Sequence, residues 1–241
     1  MAVEFVAASS QRANLGLSLP FLNGKPGGSV MAWVKMTSLS GTRSLTEQAI
    51  GPPPGTSATS RLFLGVLGSG VLELGARDAD GGGSFVNTGT LSIGTGVWAH
   101  VAGVVDIAGD ASHIYINGAL HKTQAFAFPN ASFPATNSKN GHVGSNDDGG
   151  AQFFDGLISD FRMYDRALKA EEIQTIFAAR GRDTIIAGMV LNHRMAGRPP
   201  GAVASVVGEL KDVSISQRNA DPVNGPVYRE SFVSGYRRRS A

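Results

Sequence analysis

The sequence predicts an all-β sandwich with one short late helix and a C-terminal extension. Three observations carry that prediction. Apolar residues alternate with period two in a series of separate runs divided by turn residues. Glycine makes up 32 of 241 residues while charged residues reach only 17%, the bias expected of many short strands joined by tight turns. Helical periodicity is convincing once, close to residue 175.

The strands follow in order. "SVMAWVKM" sends Val30, Ala32, Val34 and Met36 to one face and Met31 and Trp33 to the other, so both faces are apolar and the strand belongs at the centre of a stacked sheet. "RLFLGVLGSGVLELGAR" is two apolar runs about Gly68-Ser69-Gly70, where glycine supplies the positive φ of a hairpin. "VWAHVAGVVD" places Trp98, His100, Ala102, Val104 and Asp106 opposite Val101, Gly103 and Val105. "HIYINGALHK" alternates Ile114 and Ile116 against His113, Tyr115 and Asn117, and its Asn117-Gly118 is a strong hairpin signal. "GHVGS" and "GLISDFRMY" complete the series. In "LKAEEIQTIFAARG", Ile173, Ile176 and Phe177 fall on one helical face, with Glu171 and Glu172 in the first turn and Arg180-Gly181 at the end. A helix of about ten residues is marginal alone, so its apolar stripe must dock on a sheet.

Composition excludes several classes. There are no cysteines, hence no disulfide and no thiolate metal site. A formal charge of +2 gives no overall electrostatic footprint for nucleic acid, and no run reaches the ~18 apolar residues of a membrane span. "MAVEFVAASSQRANLG" does not read as a secretory signal, so the Asn130-Ala131-Ser132 sequon is discounted and synthesis in the cytoplasm is expected.

"WAHVAGVVD", "IYINGAL" and "FFDGLISDFRMYDRALKAEEIQTIF", in that order and spacing, resemble the motifs of laminin-G-like, concanavalin A-like jelly-roll domains. The resemblance covers residues 1–180 and implies a two-sheet jelly roll. Residues 181–241 are then a C-terminal extension that packs on the sandwich, on a partner, or on both. That extension, with "IIAGMVLNHRMAG" and "VASVVGELKDVSI", is similar to jelly-roll proteins encoded in phage and environmental viral genomes. Two departures stand out. "FVAASSQRANLG" lacks the acidic residues that members often carry in the first strand-turn, and Lys169 replaces the usual Ser or Thr helix cap, so Asp165 or a backbone contact is expected to cap instead.

Little catalytic chemistry is legible. The resemblance implies E-x-D-x-x-E on one strand in hydrolytic relatives, and that motif is absent; Asp78/Asp80 and Asp147/Asp148 lie on Gly-rich tips. "DADGGGS" opens like a calcium loop, but its twelfth position is Gly89 rather than Glu. The oxygen-rich rim cluster Asn146, Asp147, Asp148 and Asp155 is the better calcium candidate. His100 matches a structural histidine of the resembled family, and His113, His121, His142 and His193 lack metal-ligand spacing. Trp33 and Trp98 sit inside strand patterns and are expected to be buried. Asp160, Arg162 and Arg166 are expected to make a polar corner beside Asp165. In the basic end, Arg229, Phe232, Tyr236, Arg237, Arg238 and Arg239 suit an acidic or aromatic protein surface.

No enzyme and no required cofactor is therefore expected, with room for calcium. The leading functional expectation is a virion structural protein: a capsid decoration or surface appendage that binds major capsid or other virion proteins, touches surface glycans and can self-associate. The alternative is a carbohydrate-binding module, calcium-dependent or not. A glycoside hydrolase ranks third.

Overall fold

A computed structural model describes residues 1–17, 20–49, 60–78, 83–128, 130–134, 140–146 and 151–230. The strands in chain order are β1 (Ala2–Phe5), β2 (Arg12–Leu17), β3 (Gly27–Met36), β4 (Arg43–Ala49), β5 (Ser60–Val66), β6 (Val71–Arg77), β7 (Gly83–Ser92), β8 (Trp98–Asp106), β9 (Ala111–Ile116), β10 (Ala119–Ala125), β11 (Asn140–Val143) and β12 (Gly156–Tyr164). Helix α1 (Ala170–Ala179) follows, then β13 (Met189–His193), β14 (Asp221–Val223) and β15 (Val227–Arg229). They form two antiparallel sheets, an eight-stranded one ordered β10-β9-β8-β3-β12-β1-β15 with β13 also on β12, and a seven-stranded one ordered β14-β2-β11-β4-β5-β6-β7. The predicted sandwich is thus the observed architecture.

The period-two readings fix the faces. Val30, Ala32, Val34 and Met36 of β3 join Val101 and Val105 of β8 in the core between the sheets, together with Leu62, Leu64, Leu72 and Leu74 from β5 and β6. The sheets approach so closely at Gly103 that a Cβ there would lie 2.5 Å from Leu74 Cδ1. Both hairpins form as expected. Gly70 takes φ 82°, and Asn117 and Gly118 take φ 50° and 79°, the two positive values that the tight turn between β9 and β10 requires.

The outer face of the eight-stranded sheet is sealed by α1. Ile173 and Ile176 pack on Met31, Ala102, Val104, Tyr115 and Tyr164. Phe177 stacks on Trp33 at 5.5 Å, and His100 meets Trp33 edge-on at 5.4 Å. The docking surface that a short amphipathic helix needs is therefore the back of the central strand.

The polar corner divides into two parts, which refines the sequence expectation. Arg162 grips Asp160 with two hydrogen bonds and Asp183 with a third, all at 2.9 Å. Arg166 instead holds Glu172 at 2.6 and 2.8 Å. Asp165 does not cap the helix, because its carboxylate pairs with Lys25 Nζ at 2.8 Å. Glu172, three residues into the helix, takes over and accepts the Lys169 N–H at 2.9 Å.

Beyond residue 181 the chain contributes to both sheets. β13 pairs with β12, β14 with β2 and β15 with β1. Gln11 ties this segment down: its Nε2 donates to the carbonyls of Asn224 and Gly225, both at 3.1 Å, while its Oε1 accepts the Val6 N–H at 2.8 Å. The β14–β15 connection therefore shadows the β1–β2 connection and covers the edges of both sheets.

Candidate functional site

With α1 on one sheet, the outer face of the seven-stranded sheet is the other broad surface of the sandwich. Its residues follow from alternation. Ala13 and Leu15 of β2, Leu62 and Leu64 of β5, and Leu72 and Leu74 of β6 point inward, so Arg12, Asn14, Phe63 and Glu73 point outward. Register then gives one cross-strand row, Asp221–Asn14–His142–Glu47–Phe63–Gly75. A second row runs Gly65–Glu73–Asn87.

The rows differ in accessibility. Glu47, His142 and Phe63 are buried, Asn14, Arg12 and Glu73 are half-buried, and Asn87 is exposed. Burial pushes the Glu73 carboxyl above its ordinary pKa. The Phe63 ring lies flat along its own strand over Gly65, where a Cβ would stand 2.3 Å from the ring. Only glycine permits that arrangement, so the "FLG" of β5 fixes a buried ring within the face.

At one end the face meets the segment leading into β12. Phe153, half-buried, is touched by two cations: the Arg12 guanidinium lies 5.9 Å from its ring centre, and Arg43 Nη1 donates to its carbonyl at 3.2 Å. The segment is anchored by Ser44 N–H to the Gln152 carbonyl (2.7 Å) and Phe154 N–H to the Gly144 carbonyl (2.9 Å). Arg12, Phe153 and Arg43 at one end, and Glu73 and Asn87 on β6 and β7, thus give a discontinuous strip of aromatic surface, donors and acceptors, interrupted where His142, Glu47 and Phe63 are buried. Such a combination suits a sugar, whose C–H faces stack on rings while its hydroxyls take hydrogen bonds.

The sequence-predicted site residues lie elsewhere or partly beside this strip. Asn146 donates its N–H to the Ala151 carbonyl at 3.1 Å, and its Oδ1 is buried without a hydrogen bond. Asp155 accepts the Ala7 N–H at 3.3 Å. Asp147 and Asp148 lie outside the described residues, and among the described residues no three His, Asp or Glu side chains gather to hold a metal. Asp78 is buried and accepts the Asn130 N–H at 2.9 Å; Asp80 lies outside the described residues. Arg229 pairs with Glu4 at 2.6 Å across the β15–β1 ladder. Phe232, Tyr236, Arg237, Arg238 and Arg239 also lie outside the described residues.

The histidines and tryptophans are mostly scaffold. His100 is buried, and burial first, then the Arg162 charge, lowers its pKa to about 3, so it stays neutral under Trp33 and Phe177. Trp33 is buried as expected, whereas Trp98 is half-buried. Sequence reasoning missed the strip itself. Alternation in "RLFLGVLGSGVLELGAR" could have set Phe63, Gly65, Glu73 and Gly75 on one face, but nothing local brings Arg12 to Arg43.

A family model described as the concanavalin A-like lectin/glucanases superfamily matches residues 12–174. A comparison with curated proteins gives no match. Among solved structures, a Bacteroides ovatus protein provisionally described as carbohydrate-binding superposes with TM-score 0.67 at 17% identity, over 95% of this chain and 59% of its own. The present chain therefore spans little more than half of that protein. The sialidase CBM40 of Ruminococcus gnavus bound to α2,3-sialyllactose gives TM-score 0.58 at 19% identity, over 73% of this chain and 96% of its own. The heptameric SAP-like pentraxin of Limulus polyphemus gives 0.56 at 16%, over 80% and 91%. At these identities the likeness is one of fold.

Proposed function

The chain belongs to the concanavalin A-like lectin/glucanases superfamily, and on that premise we propose that it is a non-enzymatic carbohydrate-binding module whose ligand lies across the outer face of the seven-stranded sheet. The observation that carries this reading is the half-open strip of Arg12, Phe153, Glu73 and Asn87 on that face, while α1 seals the opposite sheet. The binding named for the Bacteroides and Ruminococcus proteins supports it.

Recognition is favoured over cleavage by the placement of the carboxylates. Glu47 and Glu73 stand on strands separated by β5, about 9.6 Å apart in the sheet, and Glu73 is in register with Gly65 rather than with Phe63. That spacing is well beyond the ~5–5.5 Å between the carboxyls of a double displacement, and Glu47 is buried, so it is not placed to activate a water for a single displacement at ~6.5–9.5 Å. The virion-decoration expectation draws no support from this face or from these relatives, and the glycan reading takes its place.

The test is a glycan array followed by calorimetric titration of the best hit. Saturable binding is expected, weakened about tenfold or more by Phe153→Ala and by Glu73→Ala with melting temperatures preserved. A flat array, or variants that bind as the parent does, sinks the proposal. Repeating the titration in EDTA tests the expectation of calcium dependence.

A further inference from the structure

We propose that Arg12 and Arg43 form an anion subsite at the Phe153 end of this face, which takes the carboxylate or sulfate of an acidic sugar. Other arginines show how this protein treats a guanidinium it only needs to hold in place. Arg162, Arg166, Arg198 and Arg229 each face a carboxylate. Arg12 and Arg43 do not: among the described residues no carboxylate lies within ion-pair distance of either. Arg12 Nη1 donates to the Ser10 carbonyl at 3.2 Å and Arg43 Nη1 to the Phe153 carbonyl at 3.2 Å. In both residues Nε is buried with no hydrogen-bond partner.

Two half-buried cations that converge on one residue repel each other, and each keeps unused N–H donors. A guanidinium presents five donors in a planar fork that fits carboxylate and sulfate, so an anion held by the remaining Nη donors of the half-buried pair offsets both charges. Two acids among the described residues near this end have partners of their own. Asp155 accepts the Ala7 N–H, and Asp221, across from Asn14 on the same face, accepts the Gly208 N–H. The Phe153 ring beside Arg12 gives a sugar ring something to lie on, which a free inorganic anion would not use.

This inference rests on the glycan reading and deepens it to acidic sugars. The full chain is titrated with trigalacturonate, with the neutral galactose trimer, with a sulfated disaccharide and with sodium sulfate, at low and high salt. Trigalacturonate is expected to bind about tenfold or more tighter than the neutral trimer, with the gap closing as salt screens the charges. Arg12→Gln/Arg43→Gln should weaken trigalacturonate far more than the neutral trimer and so remove the preference; Arg12→Lys/Arg43→Lys should retain part of it. Equal affinity for both trimers, or a preference that survives the Gln double variant, overturns the subsite. If no sugar binds but sulfate raises the melting temperature of the parent and not of the Gln variant, the subsite stands and the glycan reading falls. If the neutral trimer binds but neither sulfate nor an acidic sugar does, the subsite alone falls; if nothing binds, both fall.

Discussion

Replacing Arg162 with Met should be among the most damaging single changes in this protein. The side chain is 3% exposed and donates three hydrogen bonds of 2.9 Å, two to Asp160 and one to Asp183. Burial works against its charge, and the two carboxylates overcome that and raise its pKa, so the pairing stays ionic. Met fills a comparable volume but leaves two buried carboxylates facing each other. Among the described residues, Asp183 keeps only the Ile185 N–H as a donor, at 3.1 Å. Breaking a buried ion pair in this way costs about 3–5 kcal/mol. For a chain of this size, ~1 kcal/mol moves Tm by about 2–4 °C, so a drop of about 6–20 °C is expected. The assay is urea and thermal unfolding followed by circular dichroism at pH 7. Adding Asp160→Asn and Asp183→Asn should recover more than half of the loss, since amides tolerate burial better than unpaired charges. A single variant within about 1 kcal/mol of the parent, or a triple variant no more stable than the single, would refute the reasoning.

Burial holds His100 at about 3 and His193 at about 4, below the unfolded value of ~6.5. Their contribution is therefore complete above pH 6.5 and is lost on acidification, by about 2 kcal/mol each at pH 5; a urea midpoint unchanged between pH 7 and 5 would count against it. Glu172, lowered to about 2 chiefly by its Arg166 hydrogen bonds, loses its share only below pH 4.5 and leaves that window to the histidines. Gly103→Ala should cost about 1–3 kcal/mol by overpacking against Leu74, and Leu74→Ala in the same chain should restore part of it. Gln11→Ala should speed amide exchange in residues 221–229 well before the central strands, because it removes both bonds to the Asn224–Gly225 turn; unchanged exchange there would show that the edge pairing alone holds the segment.

Much of the scaffold was legible because its signals are local. The alternation of "SVMAWVKM" depends on nothing beyond strand geometry, and β3 lies between β8 and β12 with both faces covered, as that alternation requires. Asn117-Gly118 encodes its own turn through two positive φ values. Of the two helix caps expected, Asp165 is not used and a contact to the Lys169 backbone is; its acceptor, Glu172, was seen only as a dipole partner, because that choice depends on Arg166 holding it in place. Arg162 was placed in a polar corner, yet its second partner, Asp183, comes from the far side of the helix, 21 residues on.

The candidate site shows the same division. The sequence by itself determined which residues share a face, since period two makes Phe63 and Gly65 neighbours and sets Glu73 on the same side as Gly75. It also determined that one helix had an apolar stripe to bury. Which sheet that helix would seal was decided only in the folded chain, where β8 and β3 offer α1 a surface of matching apolar residues. The meeting of Arg12 and Arg43 at Phe153 was likewise decided there. Three residues spread over more than a hundred positions come together only after β2, β11 and β4 have paired, and no local preference of the chain encodes a contact at that separation.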